Sequence, residues 1–384
     1  MVRINKLDLI ALSLVMGTSF VTAPVAQAGQ TQGFLANIHK HITLTSAVSE
    51  TGDSNPYAIV VAPVSSGIIQ AGDVLVDDFN NTSNLQGTGS SIVDNNPTTK
   101  KITLFAKVPQ NLPQCPGGVG MTAAMTMLKS GWVIVGSTPS TDGSTRTKGA
   151  GGLLMFDSNG HLVDTWAGPN INGPWGNVAT IDNGTTASIF ISMAGFGVTG
   201  QEPRYPKTGY PTVVNKATVL RLDLSIPDGK PPVITNQTVI ADGFGERTDK
   251  DAFLIGPTGL ALGADGTLYL SDAVGNQIVA IADAATRTTS VGVGRTVTKD
   301  GLLARPLALV MLPNGHLLSC NATNGEVVEI DPATGQQLYA QWIDADQAQS
   351  PPGNGDLFGI ALTPDGTAFY YVEDDMNTLM EAKR

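Results

Sequence analysis

Acidic side chains near the ends of short apolar runs are the residues of this chain best suited to chemistry. Six such residues occur at four places: Asp77, Asp78, Asp272, Asp356, Glu373 and Asp374. Carboxylate oxygens without a thiolate cluster suit a hard cation such as Ca²⁺, so a divalent-cation site is one hypothesis. The alternative is that each aspartate caps its own turn by accepting hydrogen bonds from nearby backbone N–H groups. We favour the caps, because the acidic residue belongs to a recurring pattern, and we assign no metal or other cofactor.

Four further residues, at strand entries or second-strand ends, are candidate ligand-binding residues: Trp175, Asn177, Cys320 and Asn321. Of the ten candidates, Trp175, Cys320 and Glu373 depart from the recurring pattern. Trp175 follows a Gly-Pro pair at the start of an apolar run. It could line the floor of a binding site, but large aromatic side chains are more often packed, and we favour a packed residue.

The elements that must position these residues are short strands joined by tight turns. Residues 256–282 show the pattern best, with apolar runs at 259–263 and 267–270 on either side of an Asp-Gly turn. Asp-Gly between apolar runs predicts a hairpin, because glycine tolerates the positive φ that the turn requires. With 44 Gly, 23 Pro and only 14% charged residues, the composition favours a turn-rich all-β protein.

The pattern recurs in six units, and the last unit is one strand short. Its three predicted strands are residues 358–362, 368–372 and 378–382. Residues 34–45 alternate in polarity without a hairpin partner, so they can supply the missing strand and leave no open sheet edge. We therefore predict an all-β, six-bladed β-propeller closed by an N-terminal strand, with residues 29–384 as a single domain.

Strand entries and second-strand ends are expected on one face of such a ring, and the Asp-Gly turns on the other. Alignment of the second-strand ends gives one column of residues: Asp77, Ser137, Ser192, Asp272, Cys320 and Glu373. Asp78, Asn321 and Asp374 form the next column. All ten candidate residues are thus expected near the channel mouth, beside a long loop at residues 197–216.

Cysteine and histidine positions argue against a disulfide and against a histidine metal site. Cys115 and Cys320 fall in units two and five, opposite each other in a ring of six, whereas a disulfide needs Cα atoms within about 7 Å. We predict free or partly buried thiols. His161 and His316 lie in turns of the other face, and His39 with His41 are too few ligands without a third.

The repeat at residues 256–282, and again from residue 358, resembles an NHL-type propeller repeat. The chain as a whole resembles exported bacterial NHL-like proteins, whose fold hosts binding scaffolds, lyases and hydrolase relatives. Gluconolactonase-like relatives hold a metal in a central cage of Glu, Asn and Asp. At the corresponding strand entries this chain has Thr258 and Leu307, which are poor ligands.

Two functions follow, and whether the protein is an enzyme stays open. The first is a non-catalytic scaffold that binds a ligand or a protein, because no nucleophile elbow, phosphate-binding glycine loop or His-Glu-x-x-His motif occurs. The alternative is a metal-dependent hydrolase or lyase of the gluconolactonase-like type. The partner is a small molecule or a protein of unknown identity, and we expect a monomer.

The N-terminus and the net charge bear on location and partners. Arg3 and Lys6 precede an apolar run at residues 9–21, and Ala26-Gln27-Ala28 offers a cleavage site, so residues 1–28 are predicted to be a signal peptide, with an uncleaved membrane anchor as the alternative. The protein is then periplasmic or extracellular, without a membrane span. A net charge of −11 and the lack of a Lys/Arg run exclude nucleic acid as a partner.

Overall fold

The computed structural model describes residues 33–198, 200, 211–344, 348–350, 353–355 and 357–384. In these residues 25 strands form six antiparallel sheets arranged as the blades of a propeller. The predicted fold class is therefore confirmed. The predicted signal peptide lies outside the described residues and stays a prediction. Among the described residues no helix is both long and apolar enough to cross a membrane.

The chain begins with a 3₁₀ turn (Leu35–Asn37) and strand β1 (Lys40–Ser46). Blades 1 to 3 follow in chain order, with a second 3₁₀ turn (Thr145–Thr147) within blade 2. Blade 1 is β2 (Ser54–Val61), β3 (Val74–Asn80), β4 (Ser91–Asn96) and β5 (Lys101–Lys107). Blade 2 is β6 (Met121–Met127), β7 (Val133–Ser137), β8 (Gly152–Phe156) and β9 (Leu162–Trp166). Blade 3 is β10 (Ala179–Asp182), β11 (Thr186–Met193), β12 (Val214–Ser225), β13 (Val233–Thr248) and β14 (Leu254–Ile255).

Blades 4 and 5 have four strands each, and blade 6 borrows its fourth. Blade 4 is β15 (Pro257–Leu262), β16 (Leu268–Asp272), β17 (Gln277–Ile281) and β18 (Arg295–Lys299). Blade 5 is β19 (Pro306–Met311), β20 (Leu317–Asn321), β21 (Glu326–Asp331) and β22 (Gln336–Trp342). Blade 6 is β23 (Leu357–Leu362), β24 (Phe369–Glu373), β25 (Thr378–Lys383) and β1.

Strand β1 closes the ring as predicted. It pairs antiparallel with β25, from Lys40 opposite Lys383 to Ser46 opposite Thr378. The predicted strand at residues 34–45 is shorter at its start, because the chain there turns toward blade 5. The buried carboxylate of Glu329 accepts hydrogen bonds from the backbone N–H groups of Phe34 (3.0 Å) and Leu35 (2.9 Å).

Blade 3 departs most from the predicted pattern. Its third and outer strands run for 12 and 16 residues, well beyond the segments expected from the apolar runs. The polar residues Asn215 and Lys216, which were placed in the long loop, are strand residues of β12. Hydrogen bonding between neighbouring strands outweighs their low strand propensity here. Residues 199 and 201–210 of that loop lie outside the described residues.

The core lies between neighbouring blades, because each sheet packs one face on the sheet before it. One cluster joins Leu75 and Ile92 of blade 1 to Met125, Val135 and Phe156 of blade 2, all buried. Blades 5 and 6 meet in a similar cluster around Leu318, Cys320 and Phe369. The alternating apolar residues of each strand therefore specify the fold. In the closed ring, the starts of the inner strands surround a central axis.

Each blade has a shift in strand register at the entry to its inner strand, next to the central axis. In β2, Pro56 pairs with Asp78 and Ile59 with Val76, so three residues along β2 match two along β3. The same bulge recurs in blades 4, 5 and 6. Its second position is small because the next blade comes close: a Cβ on Gly176 would lie 1.7 Å from the Thr258 carbonyl oxygen.

Candidate functional site

We call the face with the inner-strand starts the mouth-side face, and the opposite one the turn-side face. Strand pairing corrects the predicted column by one residue at three of its six positions. The residues that pair just before the irregularity at each inner-strand entry (Pro56, Met121, Pro174, Pro257, Pro306 and Leu357) are Asp78, Ser137, Met193, Asp272, Asn321 and Glu373. Asp77, Ser192 and Cys320 lie one residue earlier, and Asp374 one later. The prediction was wrong because apolar runs mark a strand's end only to within a residue, whereas pairing fixes it.

The axis on the mouth-side face is filled by aromatic side chains. The first bulged residues of blades 1, 3, 5 and 6 meet there, together with Phe79 of β3 and Phe253, in one buried cluster: Tyr57, Phe79, Trp175, Phe253, Leu307 and Phe358. The Tyr57 ring stacks on Phe358 at 3.9 Å and on Phe79 at 4.4 Å between centroids. Trp175 is 2% exposed, so it is part of this aromatic plug rather than an open floor.

The segment between β13 and β14 of blade 3 contributes to the same plug. Phe253 packs on Phe79 at 5.6 Å and on Trp175 at 6.4 Å between centroids. It has a φ of 65°, which is rare for a residue other than glycine. Asp249 holds the segment by accepting hydrogen bonds from the N–H groups of Asp251 and Ala252, and Gln86 of blade 1 donates to the Asp251 carbonyl. The channel is therefore closed by the chain itself on this face.

Asp77 serves the backbone of the bulge. Its Oδ1 accepts from the Ala58 N–H at 2.9 Å, as Ser192 accepts from Gly176 and Ser271 from Gly259 in blades 3 and 4. The carboxyl is fully buried and its Oδ2 has no hydrogen-bond partner among the described residues. Burial raises the pKa of Asp77 well above its usual range, against a smaller lowering by the Ala58 hydrogen bond. Burial therefore favours the protonated form of this carboxyl.

Asp78 lies on the other side of β3 in a buried acidic group. Burial raises its pKa well above the usual range, and the charges of Asp77 and Asp53 raise it further. The group includes one basic side chain, since Lys107 Nζ lies 2.7 Å from Asp53 Oδ2 and forms a salt bridge with it. Ser91 bridges the two carboxylates, at 2.9 Å from Asp53 and 3.5 Å from Asp78. Asp77 and Asp78 therefore do not share one ligand site.

Three other predicted residues bond to the protein itself. Asp272 caps its turn by accepting from the Gly275 N–H at 2.9 Å. Asn321 accepts from the Ala304 N–H and donates to the Leu302 carbonyl, which fixes the connection into blade 5. Asn177 donates to the Leu260 and Leu309 carbonyls and accepts from the Leu309 N–H, so it joins blades 3, 4 and 5 across the channel.

Both cysteines are buried and free, as predicted. Burial raises the pKa of the Cys320 thiol to about 12. For Cys115 burial raises the pKa to about 11, partly offset by a hydrogen bond with Ser137. Neither thiol is therefore a reactive thiolate at neutral pH.

Three carboxylates converge at the rim of the mouth-side face between blades 5 and 6. One oxygen from each of Asp344, Glu373 and Asp375 lies within 4.8 Å of the others. Asp344 is buried, Glu373 partly buried and Asp375 exposed. The Thr378 hydroxyl donates to Glu373 Oε2 at 3.1 Å and orients that side chain. Asp356 lies outside the described residues, and Asp374 lies in the turn that carries Glu373 and Asp375.

The trio was only partly predicted. Glu373 stands at the end of a second strand and could be found by its place in the repeat. Asp344 follows the outer strand of blade 5, and nothing in its local sequence distinguishes it from other surface aspartates. Its proximity to Glu373 depends on how blades 5 and 6 pack.

A buried lysine and glutamate form a second polar group that the sequence analysis missed. Burial lowers the pKa of Lys148 to about 7 and raises the pKa of Glu246 to about 7, each partly opposed by the other's charge. Lys148 Nζ donates to Asn172 Oδ1 at 2.8 Å, and Glu246 accepts from the Gly197 N–H. These residues come from different elements, so no local motif marks them.

The described histidines do not form a metal site with one another. His161 Nδ1 lies 3.0 Å from Asp157 in an exposed turn, and His316 Nδ1 lies 2.7 Å from buried Glu329. His41 packs on Tyr371, and burial lowers its pKa.

Comparison with known proteins shows the fold and leaves the function open. No protein-family model and no curated protein matches the sequence. Among solved structures, a gluconolactonase from Xanthomonas campestris is similar at 15% identity and a TM-score of 0.55, over 91% of both chains. A PQQ-bound aldose sugar dehydrogenase from Streptomyces coelicolor gives 16% and 0.51, over 90% of this chain and 98% of that one. The calcium-binding protein regucalcin from Agrobacterium tumefaciens gives 12% and 0.50, over 88% and 92%.

The chain is thus a six-bladed propeller of the architecture seen in gluconolactonase and regucalcin. Identities this low support the shared architecture alone, and the three neighbours are named as a gluconolactonase, a sugar dehydrogenase and a calcium-binding protein. The NHL assignment stays a prediction.

Proposed function

We propose that this protein is a divalent-cation-dependent hydrolase or lyase that acts on a small cyclic ester at its mouth-side face. The observation that carries the proposal is the trio of Asp344, Glu373 and Asp375, with one oxygen of each within 4.8 Å of the others. Two oxygens on opposite sides of a Ca²⁺ ion, at about 2.4 Å each, lie about 4.8 Å apart, so the trio fits one coordination sphere.

A second observation on this face supports a ligand there. The hydroxyl of Tyr57 is buried and has no hydrogen-bond partner among the described residues. Its pKa is raised well above the usual range, by burial first and then by the negative charges of Asp374 and Asp249. Buried polar atoms almost always have a partner, so a water or ligand oxygen is expected beside this hydroxyl.

The fold neighbours support the choice of enzyme class. One is named a gluconolactonase and another a calcium-binding protein. The cation would lie at the rim of the face rather than on the axis, because the axis is filled by the aromatic plug. Thr258 bonds its own chain, donating to the Gly256 carbonyl at 2.9 Å, and Leu307 is part of the plug. Thr258 and Leu307 therefore do not form the central metal cage that gluconolactonase-like proteins have.

The chain's own residues supply binding and orientation. A bound cation would polarise the carbonyl oxygen of the ester. Glu373 is fixed at the end of β24 by Thr378, so one ligand is held before any cation arrives. Tyr57 stays protonated at neutral pH because its pKa is raised, so it can donate a hydrogen bond. The plug beneath keeps water in the channel away from this face.

Elemental analysis and a chelator melt test the proposal. The purified protein is expected to hold about one equivalent of cation, and EDTA is expected to lower its melting temperature by several degrees. A ligand present at a hundred times its Kd stabilises the folded state by about 2.7 kcal/mol, and chelation removes that term. The Glu373→Gln and Asp344→Asn variants are expected to melt at the same temperature with and without EDTA. Asp365→Asn, in an exposed turn of the opposite face, is the matched control and should respond as the native protein does.

Turnover is measured on a panel of small lactones with and without added Ca²⁺. Hydrolysis that needs the cation and is lost in Glu373→Gln supports the enzyme. A protein without stoichiometric metal, whose melting ignores EDTA, contradicts it. Cation binding without turnover of any ester would contradict the enzyme and favour a second candidate function, a non-catalytic scaffold.

The second candidate is an exported, non-catalytic scaffold that binds a ligand or a protein, and the aromatic plug favours it. Apolar side chains occupy the axis. In the gluconolactonase-like propellers that this chain resembles, metal ligands lie at that place. We expect this form to be a periplasmic or extracellular monomer. Retention of a partner from an envelope fraction, with no turnover, would support it, and size-exclusion chromatography with light scattering tests the monomer.

A further inference from the structure

The channel has a second compartment that opens on the turn-side face, and we call it the turn-side chamber. Its volume is about 440 Å³, within the range of small-molecule sites. The inner strands of all six blades line it. Most lining residues are apolar, and those that are partly exposed include Val61, Val178, Leu262, Val310, Met311 and Leu362.

The closed end of the chamber offers no free polar atom from Asn177. Its amide nitrogen donates to the Leu260 carbonyl at 2.8 Å and to the Leu309 carbonyl at 3.1 Å. Its oxygen accepts from the Leu309 N–H at 3.1 Å. The aromatic plug lies on the mouth side of Asn177 and its hydrogen bonds. A molecule can therefore enter the chamber only from the turn-side face.

One pair of threonine hydroxyl groups provides a polar side-chain contact in the chamber. Thr126 Oγ1 and Thr180 Oγ1 lie 3.0 Å apart on neighbouring inner strands, and both residues line the chamber. One hydroxyl donates to the other, which leaves one hydroxyl hydrogen to be donated to a guest.

No lining residue of the chamber carries an ionisable side chain. This distinguishes it from the rest of a chain whose net charge is −11. A charged molecule would lose its hydration on entry and find no opposite charge, which is strongly unfavourable. An apolar, neutral molecule would instead gain by leaving water.

We propose that the turn-side chamber binds a small, uncharged, mostly apolar molecule, with one carbonyl or ether oxygen accepting a hydrogen bond from the Thr126–Thr180 pair. This site is independent of the cation site, which lies on the opposite face. Failure of one therefore leaves the other unaffected.

Nile red, which is uncharged and bears a carbonyl group, is the probe. Titration of the full-length protein is expected to give saturable, blue-shifted fluorescence at micromolar concentration. Thr180→Trp fills the chamber and is expected to weaken binding at least tenfold. Thr288→Trp, at an exposed position between β17 and β18, adds the same side chain outside the chamber and should bind as the native protein does.

The anionic dye 1-anilinonaphthalene-8-sulfonate tests the charge argument and is expected to bind at least tenfold more weakly than Nile red. Lack of saturable Nile red binding overturns the proposal. Equal binding by native protein and a folded Thr180→Trp variant also overturns it. If Thr180→Trp does not fold, Thr126→Val removes one hydroxyl at nearly constant shape. That variant is expected to lose three- to tenfold in affinity, and unchanged affinity would refute the site.

Discussion

Polar side chains on the mouth-side face bond first to the backbone around them. Asp77, Ser192 and Ser271 each satisfy an N–H group that the inner-strand bulge leaves without a strand partner. A serine hydroxyl does this without a charge, whereas burial disfavours the charged form of the Asp77 carboxyl. The same hydrogen bond therefore has a different pH dependence in blade 1 than in blades 3 and 4.

Asp77→Asn is expected to be more stable than the native protein at neutral pH. The folded-state pKa of Asp77 is raised, so its stability contribution is complete below its unfolded value near 4 and is lost as pH rises. The asparagine variant is therefore expected to gain more stability at pH 8 than at pH 4. Urea unfolding at pH 4 and pH 8 measures it.

Asp265→Asn provides the control of opposite sign. Hydrogen bonds from the backbone and hydroxyl of Thr267 lower the pKa of Asp265, so its contribution is present at neutral pH and lost toward acid. If the asparagine variants at positions 77 and 265 change stability in the same direction at pH 8, the assignment of Asp77 as a protonated carboxyl is wrong.

At the scale of elements, the N-terminal segment is joined to two blades by different means. Strand β1 completes blade 6 through backbone pairing. The preceding 3₁₀ turn is fastened to blade 5 by Glu329, whose carboxylate is 0% exposed and also lies 2.7 Å from His316. Leu35 and Ile38 are buried in the core shared by blades 5 and 6.

Glu329→Ala is expected to destabilise the fold by about 2–4 kcal/mol, because the buried N–H group of Leu35 and the partly buried one of Phe34 lose their acceptor. The loss should be local at first, so limited proteolysis is expected to cut near residue 39 in the variant before it cuts the native protein. Glu326→Ala, on the same strand but partly exposed, is the matched control and should change stability by less than about 1 kcal/mol. Equal resistance to proteolysis in both variants would contradict the fastening role.

At the scale of the whole molecule, the aromatic plug joins blades that share no strand pairing. Trp175 of blade 3 contacts Tyr57 of blade 1 at 5.9 Å and Phe79 at 5.6 Å between centroids. These contacts cross the axis, so they resist the opening of the ring as a whole. The plug also separates the mouth-side face from the turn-side chamber.

Trp175→Ala is expected to cost about 3–5 kcal/mol, as for other fully buried aromatic residues, and to lower the cooperativity of unfolding. Trp166→Ala, on the outer strand of blade 2 and partly buried, removes the same side chain away from the axis and should cost less. Calorimetric and van't Hoff enthalpies of both variants measure the difference. Similar losses for the two tryptophans would show that the plug has no special role in holding the ring.

The repeat made the fold predictable, because each blade repeats the same local pattern of apolar runs and turns. Residues 256–282 alone specify three strands and their turns. The missing strand of blade 6 followed from counting, since a three-stranded unit leaves an edge that residues 34–45 can cover. Cys115 and Cys320 were correctly kept apart for the same reason, because ring positions follow from the order of the blades.

The candidate site was less predictable, because it depends on contacts between residues far apart in sequence. Glu373 is encoded by the repeat, but its approach to Asp344 is set by the packing of blades 5 and 6. Lys148 and Glu246 acquire their shifted pKa values from burial, which no neighbouring residue in the sequence reveals. Asn177 was expected at a ligand site, and its three hydrogen bonds to blades 4 and 5 became visible only in three dimensions.

The sequence by itself determined the number of blades, the strand order and the closure of the ring, since these depend on local patterning and on covering every edge. Only the tertiary structure decided that Asp77 caps a bulge, that Tyr57 and Trp175 fill the axis, and that three carboxylates meet at the rim. A one-residue bulge changes which side chain faces the axis, and burial then decides its charge. Both effects come from the assembled ring rather than from any single strand.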